Sequence, residues 1–260
     1  DDFASYAFAK GRLFAMQGTG QFAVFGCADA PTSAIQQAEA ARRPDGLAIC
    51  VDAWAWEPFQ KEWPSLQGPH NLQNAAIAAA LAQHLGLSRD QVLTGLASFA
   101  GLPHRMERMG MANGVLFVND SKATNPASTA PALAAYPPEY GRPRVHWICG
   151  GLAKEDNLND CAPHFGNVAC AYTIGEAGPL FADLLERHVP VARCELLAEA
   201  VSRSIAAAKE GDVILFSPAC ASFDQFRDYE ARGDAFRELA ASIGCDATPA
   251  ECGFDSRSAA

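Results

Sequence analysis

GVLFVNDSKATNPAST, residues 114–129, begins with four consecutive apolar residues, Val115 to Val118, and then turns abruptly polar. A short apolar run bounded by turn formers reads as a buried strand. The run stops at Asn119-Asp120. Ser121, Lys122, Thr124 and Asn125 follow, then Pro126, and Ser128 to Ala135 reads as the opening of a helix. A buried strand that ends in carboxylate, amine and hydroxyl groups is how an open α/β sheet builds a ligand site. An ordinary strand-to-helix turn uses the same Asn, Asp and Ser for backbone reasons. The rest of the chain decides between the two readings.

Beyond this stretch, strand-like runs alternate with helical ones through residue 244. Arg144–Cys149, Val168–Ile174 and Val213–Phe216 read as strands, and helices fall near 128–135, 178–187, 196–208 and 225–243. This alternation predicts right-handed βαβ units and an α/β fold with a mostly parallel sheet, covered on both faces. PPEYGRP, at 137–143, is a turn-rich connector. The last stretch, CDATPAECGFDSRSAA, has no period and reads as a loose tail.

Upstream the rhythm differs. Residues 1–17 have a helical pattern, with Asp1 and Asp2 in the favourable first turn. Its apolar positions are Phe3, Tyr6, Ala7, Leu13 and Phe14, and Lys10 falls on the same stripe. Such a lysine either snorkels its amine to solvent or keeps it partly buried with a lowered pKa, fit for chemistry. Gln21–Cys27 and Leu47–Val51 read as strands, Pro31–Arg42 as a helix, and Trp54–Trp63 as a loop or edge strand. A strong helix is expected from Leu72 to His84, and a second from Arg89 to Phe99, opened by a Ser88/Gln91 capping box. Asn71 suits a helix cap; with Asn74 one turn on, the pair equally suits an adenine edge or a phosphate. LPHRMERM, centred on Arg105, breaks the helical pattern, and a domain boundary is expected near Gly101.

Composition narrows the function. Of 260 residues, 49% are hydrophobic and 19% charged, as in an ordinary globular protein. A net charge of -10 argues against a nucleic-acid surface and against anionic membranes. No apolar run approaches the roughly 20 residues that span a bilayer. The nine cysteines are scattered and form no C-x-x-C pair. They read as small core residues in a reducing cytosol, without disulfides or a zinc site.

In an open parallel sheet, ligands bind beyond the carboxyl ends of the strands. Asn119-Asp120 with Ser121, Lys122 and Thr124 fall there. So do Gly150-Gly151, which would let a ligand approach the backbone, with Lys154 close behind. Ser217-Pro218 completes the edge, followed by Ser222 where a helix is expected to begin. Two lysines, several hydroxyls, a carboxylate and a helix N-terminus suit a small anion, plausibly a dicarboxylate. The chain has no Ser-His-Asp pattern, no metal-ligand spacing, no G-x-G-x-x-G and no G-x-x-x-x-G-K-[ST].

GPHNLQNAAIAAA, GLPHRME, NDSKATNPAST, CGGLAKEDNL and SPACASFDQFRDYEARGDAF closely resemble the Mur ligases, in particular the members that add D-glutamate, over Tyr6 to Gly244. YAFAK is similar to the family's Tyr-x-x-x-Lys helix. The resemblance implies that residues 1–100 are the latter half of an α/β ATPase domain. Residues 101–244 would be the Rossmann-like C-terminal domain that binds the incoming amino acid, and 245–260 a tail. It also implies that the UDP-binding domain, the P-loop and the acidic magnesium ligands lie upstream of Asp1, so that this chain alone is inactive. The implied reaction uses ATP and magnesium to join D-glutamate to UDP-N-acetylmuramoyl-L-alanine through an acyl phosphate, for peptidoglycan, in a cytoplasmic monomer.

Residue by residue, the resemblance places Asn71 and Asn74 at the nucleotide, and Arg105 and Asp120 at the ATP phosphate and ribose. Lys122 would lie near the reacting phosphate. Thr124, Lys154, Ser222 and the Phe223–Tyr229 segment would form the D-glutamate pocket, with Tyr229 where Phe is usual. Lys10 matches the lysine that becomes a carbamate and helps hold magnesium. The alternatives are another Mur-type or folylpolyglutamate-type ligase, or a glutamate- or nucleotide-binding module without catalysis.

Overall fold

The computed structural model describes residues 3–245, and the chain splits into two compact units between Phe99 and Ala100. Asp1, Asp2, Cys252 and all of the expected tail except Cys245 lie outside the described residues.

In the first unit, α1 (Phe3–Ala15) buries none of its residues, so the apolar stripe read from its sequence is exposed in Phe3, Tyr6 and Leu13. β1 (Ala23–Phe25) runs parallel to β2 (Ala48–Cys50), joined by α2 (Ala30–Arg42). Asp29 caps α2, its Oδ1 accepting from the Thr32 N–H at 2.7 Å. The segment after β2 is helical rather than a loop or edge strand: a 3-10 turn at Ala53–Trp56 runs into α3 (Glu57–Gln60). Trp56, Phe59 and the buried Trp63 pack on Leu72 and Ala75, and burying these rings in one cluster outweighs any extended pairing. α4 (Pro69–His84) begins earlier than expected because Gly68, at φ 89°, is its cap and Pro69 occupies the first turn. Asn71 is therefore a helical residue and not the cap. α5 (Arg89–Ser98) opens with the expected Ser88/Gln91 capping box.

The cysteine reading needs correction here. The parallel pairing of β1 and β2 sets Phe25 opposite Cys50, which brings Cys27, just past β1, to a Cα separation of 5.7 Å from Cys50, and the two form a disulfide. Cysteine usage therefore no longer argues for a reducing compartment. Cys149, Cys161, Cys194 and Cys220 are buried as small core residues, as expected.

The second unit contains β3 (Glu107–Ala112), β4 (Val115–Asn119), α6 (Pro126–Ala134), β5 (Val145–Gly150), β6 (Val168–Ile174), α7 (Gly178–Leu185), β7 (Val191–Glu195), α8 (Leu197–Ala207), β8 (Val213–Phe216) and α9 (Tyr229–Ser242). The six strands form one sheet in the order β3-β4-β8-β5-β6-β7, parallel throughout except for β3 against β4. Alternation divides the core in two. Val118, Trp147, Cys149 and Leu215 face the cluster that holds Leu133 and Phe181. Phe117, Ile148, Ile214 and Phe216 face the cluster of Val201 and Phe236. The central strands are buried residue for residue, as continuous apolar runs predict.

β3 and β7 had no counterpart in the sequence reading. Both are edge strands whose exposed faces carry charge, and β3 is further broken by a bulge between Arg108 and Gly110. α9 starts at Tyr229, capped by Asp228, and not near residue 225, so Ser222 precedes a turn segment rather than a helix. Among the described residues, no helix is long and apolar enough to cross a membrane.

Candidate active site

The polar run after β4 turns inward before it turns outward. Asp120 is buried, its backbone N–H donating to Phe216 O at 2.7 Å. Its Oδ2 accepts from the Ser217 hydroxyl at 2.7 Å, and Ser217 Oγ lies 3.0 Å from Thr129 Oγ1. Its Oδ1 accepts from the Met106 N–H at 3.1 Å. Burial pushes the Asp120 carboxyl up to about 7, against the pull of Ser217, Met106 and Arg105. The carboxylate thus holds the turn in which His104 (φ 59°) and Met106 (φ 48°) take left-handed conformations, with the exposed Arg105 between them. Lys122 N–H donates to His104 O at 3.0 Å, tying the two loops together.

A second buried network braces the same loop from α9. Asn119 Nδ2 lies 3.1 Å from His104 Nδ1 and donates to Gly233 O at 3.0 Å, while Asn119 Oδ1 accepts from the Ser121 N–H. Arg232 is 1% exposed, and among the described residues no carboxylate is within ion-pair distance of it, Asp224 acting on it only from farther away. Its guanidinium donates to Ser121 O at 2.8 Å, Ser121 Oγ at 3.1 Å, Cys220 O at 3.0 Å and Ala221 O at 3.1 Å. Burial pulls its pKa down to about 10. One planar fork therefore joins the loop after β4 to the loop after β8.

The remaining candidates gather above these networks. At Gly150 and Gly151 it is the chain itself, where a ligand was expected, that lies against the side free of a β-carbon. A β-carbon on Gly150 would collide with Ile174 O, and one on Gly151 with Ala221 O, so the space is filled by the chain itself. That close approach lets Leu152 pair with Ala221, each N–H donating to the other's carbonyl at 2.9 Å. The pairing brings the segment of Lys154 alongside that of Ser222. Lys154 Nζ donates to Thr124 Oγ1 at 3.1 Å, and a shallow cavity of about 520 Å³ adjoins Lys154, Glu155, Asp156 and Leu180. Lys122 Nζ sits 3.8 Å from the centroid of the Tyr229 ring, a cation–π contact that leaves the amine near solvent. Ser222 is buried and Phe223 is 69% exposed.

Residues 104–220 match the family described as "Mur ligase, glutamate ligase domain". The UDP-N-acetylmuramoylalanine–D-glutamate ligase of Novosphingobium aromaticivorans is 59% identical over 94% of this chain and 53% of its own length. The chain belongs to the Mur ligase family. The corresponding ligase of Sphingopyxis alaskensis is 48% identical over 94% of this chain and 55% of its own length. The chain thus spans about half the length of the curated relatives it matches. Among solved structures, Mycobacterium tuberculosis folylpolyglutamate synthase complexed with ADP aligns with 95% of this chain and 60% of that one, at a TM-score of 0.58 and 18% identity. That likeness is one of fold.

Within this Mur ligase chain, Arg105, Asp120, Lys122, Thr124, Lys154, Ser222, Phe223 and Tyr229 occupy one end of the second unit's sheet. Lys10, Asn71 and Asn74 lie in the first unit. The exposed Lys10 amine rests 5.4 Å from the Tyr6 ring centroid, in the snorkelled arrangement. Asn71 Nδ2 donates to Gln67 O at 3.1 Å, and Asn74 Nδ2 reaches Asn71 Oδ1 at 3.5 Å. Arg232, Asn119, His104 and Ser217 were not singled out as braces of the site. One signal was legible: Arg232 lies four residues before the buried Phe236 on α9, a core position in a helical stripe.

Proposed function

We propose that the protein is an ATP-dependent amide ligase that joins D-glutamate to UDP-N-acetylmuramoyl-L-alanine, and that this chain supplies its amino-acid site. The observation that carries this reading is the Lys154–Thr124 contact beside the Ser222 segment, a cation and two hydroxyls at one sheet end. Such a set suits a carboxylate, and a second exposed amine at Lys122 suits a substrate with further negative charge. The names of the close relatives support the same choice.

When bound, ATP supplies the phosphoryl group that turns the carboxylate of UDP-N-acetylmuramoyl-L-alanine into an acyl phosphate. Arg105 and Lys122, both exposed cations of the second unit, fit a nucleotide's phosphates. Asp120 is assigned the holding of the Arg105 turn, since both its oxygens are engaged within the chain. Lys154, Thr124 and Ser222 orient D-glutamate so that its amine attacks the acyl carbon. The C–N bond forms, the C–O bond to phosphate breaks, and the proton that the amine gives up leaves with the departing phosphate. Lys122 stabilises negative charge on the departing phosphate. The same reading makes the protein a cytoplasmic monomer.

Magnesium fits less well. Among the described residues no three His, Cys, Asp or Glu side chains gather to hold a metal, and the exposed Lys10 brings an amine rather than an oxygen ligand. No step is routed through the metal, and carbamylation of Lys10 belongs to the complete protein, where density for a magnesium-bound structure would reveal it.

The test uses the complete protein. Wild type should release ADP only with D-glutamate present, and Lys154→Ala or Ser222→Ala should raise the KM for D-glutamate about tenfold or more while that for ATP changes little. A risen KM for ATP with an unmoved KM for D-glutamate would show that the pocket is wrongly assigned.

A further inference from the structure

Before α9 begins, residues 222–228 cross the ends of β6 and β7, and two side chains tie this segment down. Asp224 Oδ2 accepts from the Glu176 N–H at 3.0 Å, and Gln225 Nε2 donates to Glu195 O at 2.9 Å. The seat for Asp224 is shaped by Gly175, which has φ +66° and on which any β-carbon would strike the Asp224 carboxylate. Gly178 N–H donates to Gly175 O at 2.9 Å as α7 opens, so the carboxylate is seated on the turn that leads into that helix. In an open α/β sheet this strand-to-helix turn is a usual place for a ligand's anion. Here the chain's own carboxylate occupies it.

The tether acts on its neighbours directly. Ser222 O accepts from both the Gln225 N–H at 3.2 Å and the Phe226 N–H at 2.8 Å, so residues 222–226 form one closed turn. Fixing Asp224 therefore fixes Ser222 and Phe223 with it. The fold does not depend on this contact in the same way. Phe226 packs against the core, Gln225 keeps its own tether, and Asp228 caps α9 without Asp224.

We propose that Asp224 is a positioning residue, whose carboxylate, seated on the Gly175–Glu176 turn, holds the Ser222–Phe223 segment in place for the incoming amino acid. This inference rests on the D-glutamate pocket proposed above. In the complete protein, Asp224→Ala should raise the KM for D-glutamate about tenfold, with kcat and the KM for ATP within about twofold of wild type. Asp224→Asn keeps an oxygen for the Glu176 N–H and should recover most of the loss. Asp224→Glu keeps the charge but overreaches the Gly175 seat by one methylene, and should shift the same KM even if the alanine variant fails to fold. If Asp224→Glu leaves the KM for D-glutamate unchanged, or if Asp224→Ala raises both KM values alike, the inference fails. Should the wild type show no D-glutamate-dependent ADP release, it is the pocket reading that fails.

Discussion

Replacing Arg232 with methionine should lower the unfolding free energy of the second unit by about 3 kcal/mol. Methionine matches the length of the side chain but donates nothing, so Ser121 O and Cys220 O lose their buried partner, while Ala221 O keeps the Leu152 N–H. Each orphaned acceptor costs about 1–3 kcal/mol. Removing a guanidinium that burial already disfavours returns part of that sum. Arg232→Lys should be nearly as damaging, because a point charge cannot reach both loops at once. Urea titration, followed by hydrogen exchange of peptides from β8, should show the midpoint falling by about 1–2 M. A midpoint within about 0.3 M of wild type would mean that the loops are held by something else.

Stability of the second unit should fall as pH rises from about 4 to about 7, and Asp120→Asn should abolish that slope. The Asp120 carboxyl, ordinarily near 3.8, is pushed up to about 7 in the fold. Between those values the folded state keeps a proton that the unfolded chain has released, so the unfolded state gains relative stability with rising pH. The contribution is greatest below the unfolded pKa, shrinks through the window by up to about 4 kcal/mol, and is constant above it. Asparagine can still accept from the Met106 N–H and can donate to Ser217 Oγ. The variant should therefore match wild type near pH 4.5 and exceed it at pH 8. Urea midpoints across that range decide the matter; a wild-type slope that survives in the variant would acquit Asp120.

The central strands were legible because burial on both faces writes an unbroken apolar run, as in Val115–Val118 and Val213–Phe216. β3 and β7 were not, because an edge strand with one wet face and a bulge leaves a pattern no different from a loop. Lys154 and Thr124 could be placed at one sheet end from topology alone. Their direct contact depends on Leu152 pairing with Ala221, a non-local bridge without a local signature. Arg232 was hidden by its charge: a helical arginine normally points to solvent, and only the converging carbonyls of two distant loops draw it inside. The Cys27–Cys50 pair depends likewise on strand register, which spacing along the chain does not encode.

The glycine pair after β5 has a consequence for how such a site can change. Gly150 and Gly151 admit no other residue, since Ile174 O and Ala221 O fill the space a side chain would need. Lys154, a few residues on, is exposed and touches Thr124 through a single hydrogen bond, and Phe223 projects into solvent. The frame and the reagents are thus separable. Exchanging residues 124, 154 and 223 should retune which amino acid is accepted without altering the spacing of the loops. The glycine corner offers no such latitude, and a redesign that keeps it intact starts with the geometry already built.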